Sequence, residues 1–225
     1  MRRQSDFAID EYYHLYNRGT EKREIFLKES DYERFLVLLH LANNTEVVHI
    51  SNLTYQGRSL MKLLEIQIPE RLVSLGAYCL MPNHFHLLVK EKMENGISLF
   101  MKKLLTGYSM FFNKKYERSG NLFQGRFQNQ HADTDQYLKY LSAYIHLNPL
   151  KMMRTNWRNE ISRSVLDMGK AIDFLGNYHY SSYAEHCTKQ ERPQAVLLDK
   201  SAFPEYFGTK QEALSDLSDF IKVGP

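Results

Sequence analysis

A hairpin written into residues 72–90 constrains this chain more than any other feature. Leu72 to Leu80 is a nearly continuous apolar run, Met81-Pro82-Asn83 is a turn, and His84-Phe-His-Leu-Leu-Val-Lys90 follows at once. Pro82 presets its own φ and Asn83 tolerates turn geometry, so the two runs fold back on each other as antiparallel strands. Apolar residues on both faces mark the second run as a buried strand. Alternate side chains of an extended chain share a face. His84 and His86 therefore lie on one side with Leu88 and Lys90, and Phe85, Leu87 and Val89 lie on the other. Two imidazoles side by side on a rigid strand are half of a site for a divalent cation. On its own, a His-x-His pair reads first as two unrelated histidines near a strand start.

A second element gives the pair its meaning. Asp135-Gln-Tyr-Leu-Lys-Tyr-Leu-Ser-Ala-Tyr-Ile-His-Leu-Asn148 reads as a helix of three to four turns capped by Asp133 or Thr134. Leu138, Leu141 and Ile145 form its buried stripe, and Pro149 ends it near Asn148. Tyr144 and Asn148 are four apart and share a face. A tyrosine set against a His-x-His strand suggests a nucleophile beside a metal site. The alternative is a ring packed in the core with its hydroxyl hydrogen-bonded, as in most helical tyrosines. Tyr140 lies one turn earlier and Tyr137 two turns back, so both rival Tyr144 for the role.

The remaining elements follow from periodicity. Tyr12 to Arg18 is a first strand ending at Gly19, and Ser30 with Glu33 is a capping box opening a helix to about Ala42. Residues 43–70 offer a short strand near Val47–Ile50 and a helix near Ser59–Glu65. Ile97 to Tyr116 is a long amphipathic helix, and Phe123 to Gln130 a last strand before the tyrosine helix. Helices at 156–175 and 211–221 form a mostly helical C-terminal extension, giving a division into residues 1–150 and 151–225. The sum is an α+β fold, an antiparallel sheet with helices packed on one side.

Composition adds one localised signal. The net charge of +3 is too small to argue for nucleic acid. Between Phe100 and Gln130, however, Lys102, Lys103, Lys114, Lys115, Arg118 and Arg126 face Glu117 alone, interleaved with aromatics. That is a nucleic-acid footprint or the solvated basic face of a helix. No apolar run reaches the length of a membrane span, no signal-peptide core follows Met1-Arg-Arg-Gln-Ser, and the two cysteines are far apart. A reducing, cytoplasmic, nucleoid-associated setting is expected, with no membrane partner.

At Leu80-Met-Pro-Asn-His-Phe-His-Leu-Leu-Val89 and Tyr144-Ile-His-Leu-Asn-Pro149 the chain resembles the single-tyrosine HUH transposases. These are the small insertion-sequence enzymes and the transposases associated with repetitive extragenic palindromes. Asn17-Arg-Gly19, Gly125-Arg-Phe127 and Tyr180-Ser-Ser-Tyr183 also resemble the pattern, which spans roughly residues 10 to 185. One departure is Asn148-Pro-Leu-Lys-Met-Met153, where relatives often continue Asn-Pro-Val-Arg-Ala-Gly.

The resemblance implies a ferredoxin-like sheet with the histidines on a central strand. It implies metal-dependent cleavage and rejoining of single-stranded DNA at hairpin-bearing sites through a 5′-phosphotyrosine on Tyr144. His84, His86 and Asn148 would hold Mg²⁺ or Mn²⁺, with imidazole suiting Mn²⁺ better. The partner would be single-stranded DNA with palindromic hairpins, its backbone met by Arg18, Lys102, Lys103, Lys114, Lys115, Arg118 and Arg126. A homodimer is among the expected assemblies, since relatives include dimers as well as monomers. The rival reading is a host-adapted or catalytically inactive hairpin-binding protein.

Overall fold

A strand apolar on both faces must be covered on both, and this requirement organises the molecule. The computed structural model describes residues 7–46, 59–153, 165–188 and 192–206. Strands β1 (Tyr12–Arg18), β2 (Val73–Met81), β3 (His84–Glu91) and β4 (Gln128–His131) make one antiparallel sheet in the order β2-β3-β1-β4. All nine residues of β2 are buried, so it needs cover on each side. The helices are α1 (Glu29–Ala42), α2 (Gly96–Lys115), α3 (Asp135–Leu147) and α4 (Val165–Asn177). The order β1-α1-β2-β3-α2-β4 with β3 and β1 central is the ferredoxin-like arrangement.

One face of the sheet carries Leu15, Tyr78, Leu80, Phe85, Leu87 and Val89, packed against Phe35 and Leu39 of α1 and Phe100, Leu104 and Tyr108 of α2. The other face presents Ala77, Cys79, Met81 and Leu88, and these meet Leu138, Leu141 and Ile145 of α3. The tyrosine helix thus departs from the expected one-sided packing. Alternation along β2 and β3 leaves a second apolar patch, and the stripe of α3 is the element that covers it. Among the described residues, no helix is long and apolar enough to cross a membrane.

Local chemistry shifts several boundaries. Helix α1 begins at Glu29, and Asp31 caps it in place of the expected Ser30–Glu33 pair. The Asp31 carboxylate accepts from the backbone N–H groups of Leu27 and Lys28, both at 2.9 Å. It also accepts from Lys115 Nζ at 2.5 Å and from the Tyr116 hydroxyl at 2.8 Å. Burial would raise this carboxyl, but the four donors outweigh it and hold the group below the usual carboxylate range. The last strand is only Gln128–His131, because Gly125 turns at φ 72° and Phe123 makes an isolated bridge to Gly19. Residues 60–65 form a short 3₁₀ helix that buries Leu63 and Leu64. The expected strand at 47–50, the start of the 156–175 helix and the helix at 211–221 lie outside the described residues.

The outer edge of β2 is also covered. Leu80 N–H donates to Tyr180 O at 2.9 Å and Ser182 N–H to Tyr78 O at 3.0 Å, while Asp199 N–H donates to Leu75 O at 2.9 Å. Gly76 sits at a bulge between Leu75 and Ala77, and a Cβ there would stand 2.5 Å from the Phe203 ring.

Because Asp31 is fully buried with a lysine partner, Asp31→Ala strands that ammonium and two backbone donors. Urea denaturation is expected to show a loss of about 3 kcal/mol, whereas Glu33→Ala changes stability by about 0.5 kcal/mol or less. Equal losses at the two positions would contradict this account of the cap.

Candidate active site

The chain leaves the Pro82–Asn83 turn directly into His84, and the pleat then sets His86 on the same face. Their ring centroids are 5.0 Å apart, edge to face. Across β1, Arg18 pairs with His84 and Tyr16 with His86. A third histidine, which the sequence reading passed over, joins them. His14 is two residues from Tyr16 on β1, so it shares the face, and its Nε2 lies 2.8 Å from His86 Nδ1. The two rings meet edge to edge along this contact, with centroids 5.0 Å apart. The available signal was a histidine in the middle of the Tyr12–Leu15 run of aromatic and apolar residues.

Helix α3 delivers the phenol. Thr134 caps it, its side chain accepting from Tyr137 N–H at 3.2 Å, and the Leu138–Leu141–Ile145 stripe seats it on the sheet. Tyr144 is the one half-exposed residue among 141–150, where all the others are buried. Its ring stands edge-on to His86 at 5.4 Å and to His14 at 5.9 Å. Lys151, from the short helix Leu150–Met153 that follows α3, donates to the Tyr144 hydroxyl at 3.3 Å and lies 4.8 Å from the ring centroid. Lys151 occupies the arginine position of the Asn-Pro-Val-Arg pattern, so its proximity was legible only as a departure from that pattern.

The helix is pinned from behind. His146 and Ser182 Oγ are 2.9 Å apart, and the same oxygen accepts from Tyr78 N–H at 2.9 Å. The Tyr180-Ser-Ser-Tyr183 motif therefore ties α3 to β2.

The imidazoles are held neutral. Burial lowers His84 to about 4, with the Lys151 and Arg18 charges adding to the effect and Asn148 opposing it. Burial lowers His14 to about 4 as well, and His86 well below its ordinary value, with His14, His84 and Lys151 contributing. The partner at Nδ1 settles where the proton sits on His84. Asn83 Nδ2 donates to Lys22 O at 3.2 Å, so Oδ1 is the atom that faces His84 Nδ1 at 2.6 Å. An amide oxygen only accepts, which puts the proton on His84 Nδ1 and leaves Nε2 bare. His86 likewise has Nδ1 engaged, by His14.

Asn148 is 1% exposed, and neither atom of its carboxamide has a hydrogen-bond partner, although it stands close enough to His84 to favour that ring's charged form. A buried, unpartnered amide beside two neutral imidazoles fits a divalent cation. Among the described residues, no three His, Cys, Asp or Glu side chains form such a group, so a third protein ligand would have to be this amide.

The rival tyrosines stack in series on α3, with Tyr140 6.3 Å from Tyr144 and Tyr137 6.0 Å from Tyr140. All three are half-buried against the apolar residues between helix and sheet, and it is Tyr144 whose ring meets His86 and His14. The basic residues divide. Arg18 is exposed on the histidine face, where its Nε donates to Gln124 Oε1, and Arg126 is exposed in the turn before β4. Lys102 and Lys114 are exposed on α2, on the far side of the sheet from Tyr144. Lys103 donates to the backbone oxygens of Asn44 and Glu46, Lys115 pairs with Asp31, and Arg118 donates to Asn113 Oδ1 at 3.3 Å and covers Phe112.

The site thus sets a sheet-borne histidine pair beside a helix-borne phenol. Residues 9–148 match the family described as "Transposase IS200 like", and the chain belongs to that family. Its role is transposase-like and directed at DNA. A solved REP-associated tyrosine transposase bound to a REP hairpin is 10% identical, covering 83% of this chain and 84% of its own, with a TM-score of 0.47. No curated protein matches.

Histidines buried neutral bind protons more readily in the unfolded chain. With His14 and His84 lowered to about 4 and His86 and His146 lowered too, stability is full above about pH 6.5 and falls as pH drops from there through about 4. Urea midpoints followed across that window are expected to decline steadily. A flat profile would mean that these rings are already solvated in the folded protein.

Proposed function

We propose that this chain cuts and rejoins single-stranded DNA, with Tyr144 as nucleophile and Mg²⁺ or Mn²⁺ held by His84, His86 and Asn148. The observation that carries the reading is the half-exposed Tyr144 ring standing edge-on to the buried, neutral His86 imidazole. The Tyr144 oxygen attacks the scissile phosphorus. An O–P bond forms as the P–O3′ bond breaks, leaving a 5′-phosphotyrosine and a 3′-hydroxyl. The phenol gives up its proton and the 3′ oxygen gains one. The covalent link conserves the phosphodiester, so attack by a 3′-hydroxyl rejoins the strand without ATP. A bound cation would polarise the phosphate oxygens and offset charge on the leaving oxygen.

The chain's own groups supply the rest. Lys151 donates to the phenol oxygen, which steadies the phenolate as the proton leaves and again when it departs on rejoining. Arg18, across the strand from His84, is placed for a phosphate close to the scissile one. Arg126, Lys102 and Lys114 are free to meet a longer stretch of backbone, while Lys103, Lys115 and Arg118 already serve the fold. The substrate we favour is a hairpin-bearing single strand, following the family pattern of both motifs.

Incubation with hairpin-bearing single-stranded oligonucleotides and Mn²⁺ is expected to yield a covalent adduct that EDTA prevents. Tyr144→Phe should abolish that adduct and retain DNA binding, while Tyr140→Phe should still form it. Loss of the adduct in Tyr140→Phe alone would move the nucleophile one turn back, and binding with no nicking by the natural chain would favour the hairpin-binding reading. Lys151→Met is expected to slow cleavage about 100-fold, with Lys151→Arg recovering most of it in single-turnover assays.

A further inference from the structure

We propose that His14 is a positioning residue for the cation site, holding His86 in the one tautomer that can bind a metal. The inference rests on the reading of His84 and His86 as cation ligands. An imidazole has two nitrogens, and a ligand histidine must offer one bare lone pair while the other nitrogen carries the proton. For His86, Nδ1 lies 2.8 Å from His14 Nε2, and both rings are buried, at 6% and 5% exposure. Water therefore competes little for this bond.

One proton occupies the line between the two nitrogens, and it has two possible owners. If His14 owns it, a neutral His86 carries its own proton on Nε2 and offers no lone pair there. If His86 owns it, Nδ1–H donates to His14 and Nε2 is bare. Only the second arrangement is competent. It matches what Asn83 does for His84, where the amide oxygen can only accept and so forces the proton onto Nδ1. Thus both strand histidines reach their partners through Nδ1, one by a side chain of the turn and the other by a side chain of the neighbouring strand.

Packing keeps His14 in place for this role. Its ring packs against Tyr16 and meets His86 along the hydrogen bond, with centroids 5.0 Å away in each case, and Tyr16 closes the group at 5.9 Å from His86. Its edge contact with Tyr144, at 5.9 Å, means that one side chain touches both the proposed ligand and the proposed nucleophile. Outer partners of ligand histidines typically change metal affinity by about 10- to 100-fold when removed.

The test uses the full-length protein, labelled with ¹⁵N, with Mn²⁺ as the probe for affinity. Long-range ¹H–¹⁵N spectra of the metal-free chain are expected to show His84 and His86 both protonated on Nδ1. His14→Phe keeps a ring in the stack but removes the acceptor. It should lose the single Nδ1–H form of His86 and bind Mn²⁺ about 10- to 100-fold more weakly by EPR titration. His14→Gln, whose amide oxygen can accept, should recover most of that affinity. A folded His14→Phe with unchanged Mn²⁺ affinity, or a natural chain whose His86 is protonated on Nε2, overturns the proposal. Should His14→Phe fail to fold, the natural-chain spectrum and the His14→Gln affinity still decide. Failure of the underlying reading looks different: the natural chain and the His84→Ala and His86→Ala variants would then bind Mn²⁺ alike.

Discussion

The contact between α3 and the second face of the sheet is what the site depends on. Leu138, Leu141 and Ile145 meet Ala77, Cys79, Met81 and Leu88, and this seam sets the height of the helix above β3. Close packing makes such a seam stiff, because interiors have little free volume to accommodate a slide. Small residues on the sheet side, Ala77 and Cys79, let the helix approach closely. Tyr144 then reaches the imidazoles by geometry alone, one helical turn after Tyr140 and facing outward from a run that is otherwise buried.

Burial has opposite effects on the two halves of the site. The histidines are desolvated, so they are uncharged and their lone pairs are available. Lys151 is exposed at the mouth, where a phosphate would arrive. An uncharged floor below a charged rim lets an anion be attracted without first neutralising the ligands that lie beneath it. Asn148 fits the same logic, since a neutral amide can be buried unpartnered at a far smaller penalty than a carboxylate.

Much of this was legible in the sequence where period and local chemistry agree. The alternation in His84–Glu91 placed both histidines on one face, the stripe in Asp135–Leu147 gave the helix and its buried side, and Tyr12–Arg18 was bounded correctly. What could not be read depended on pairing at a distance. His14 gains its place only because β1 lies next to β3, 72 positions away in sequence. Asp31 displaced the expected cap because Lys115 and Tyr116, at the end of α2, make a buried carboxylate tolerable there. The face chosen by α3 was likewise invisible from the helix, because a stripe says that it is covered but not by which side of which sheet. The basic stretch from Phe100 to Gln130 reads as one patch in sequence, yet in space α2 and the Arg126 turn are separate and three of the six side chains bond to the protein itself.

The backbone bonds that residues 180–182 and 199 make to β2 have a further bearing. A nine-residue apolar strand at the margin of a sheet offers unpaired amides and carbonyls to any other extended chain, which is how sheets join edge to edge. Here that margin is sealed by the chain's own later segment. The opposite margin, β4, is four residues of glutamine, asparagine and histidine, too short and too polar to recruit a neighbour. Residues 180–182 and 199 thus cover backbone that would otherwise stand open, and a shortened chain ending before Tyr178 would expose that edge.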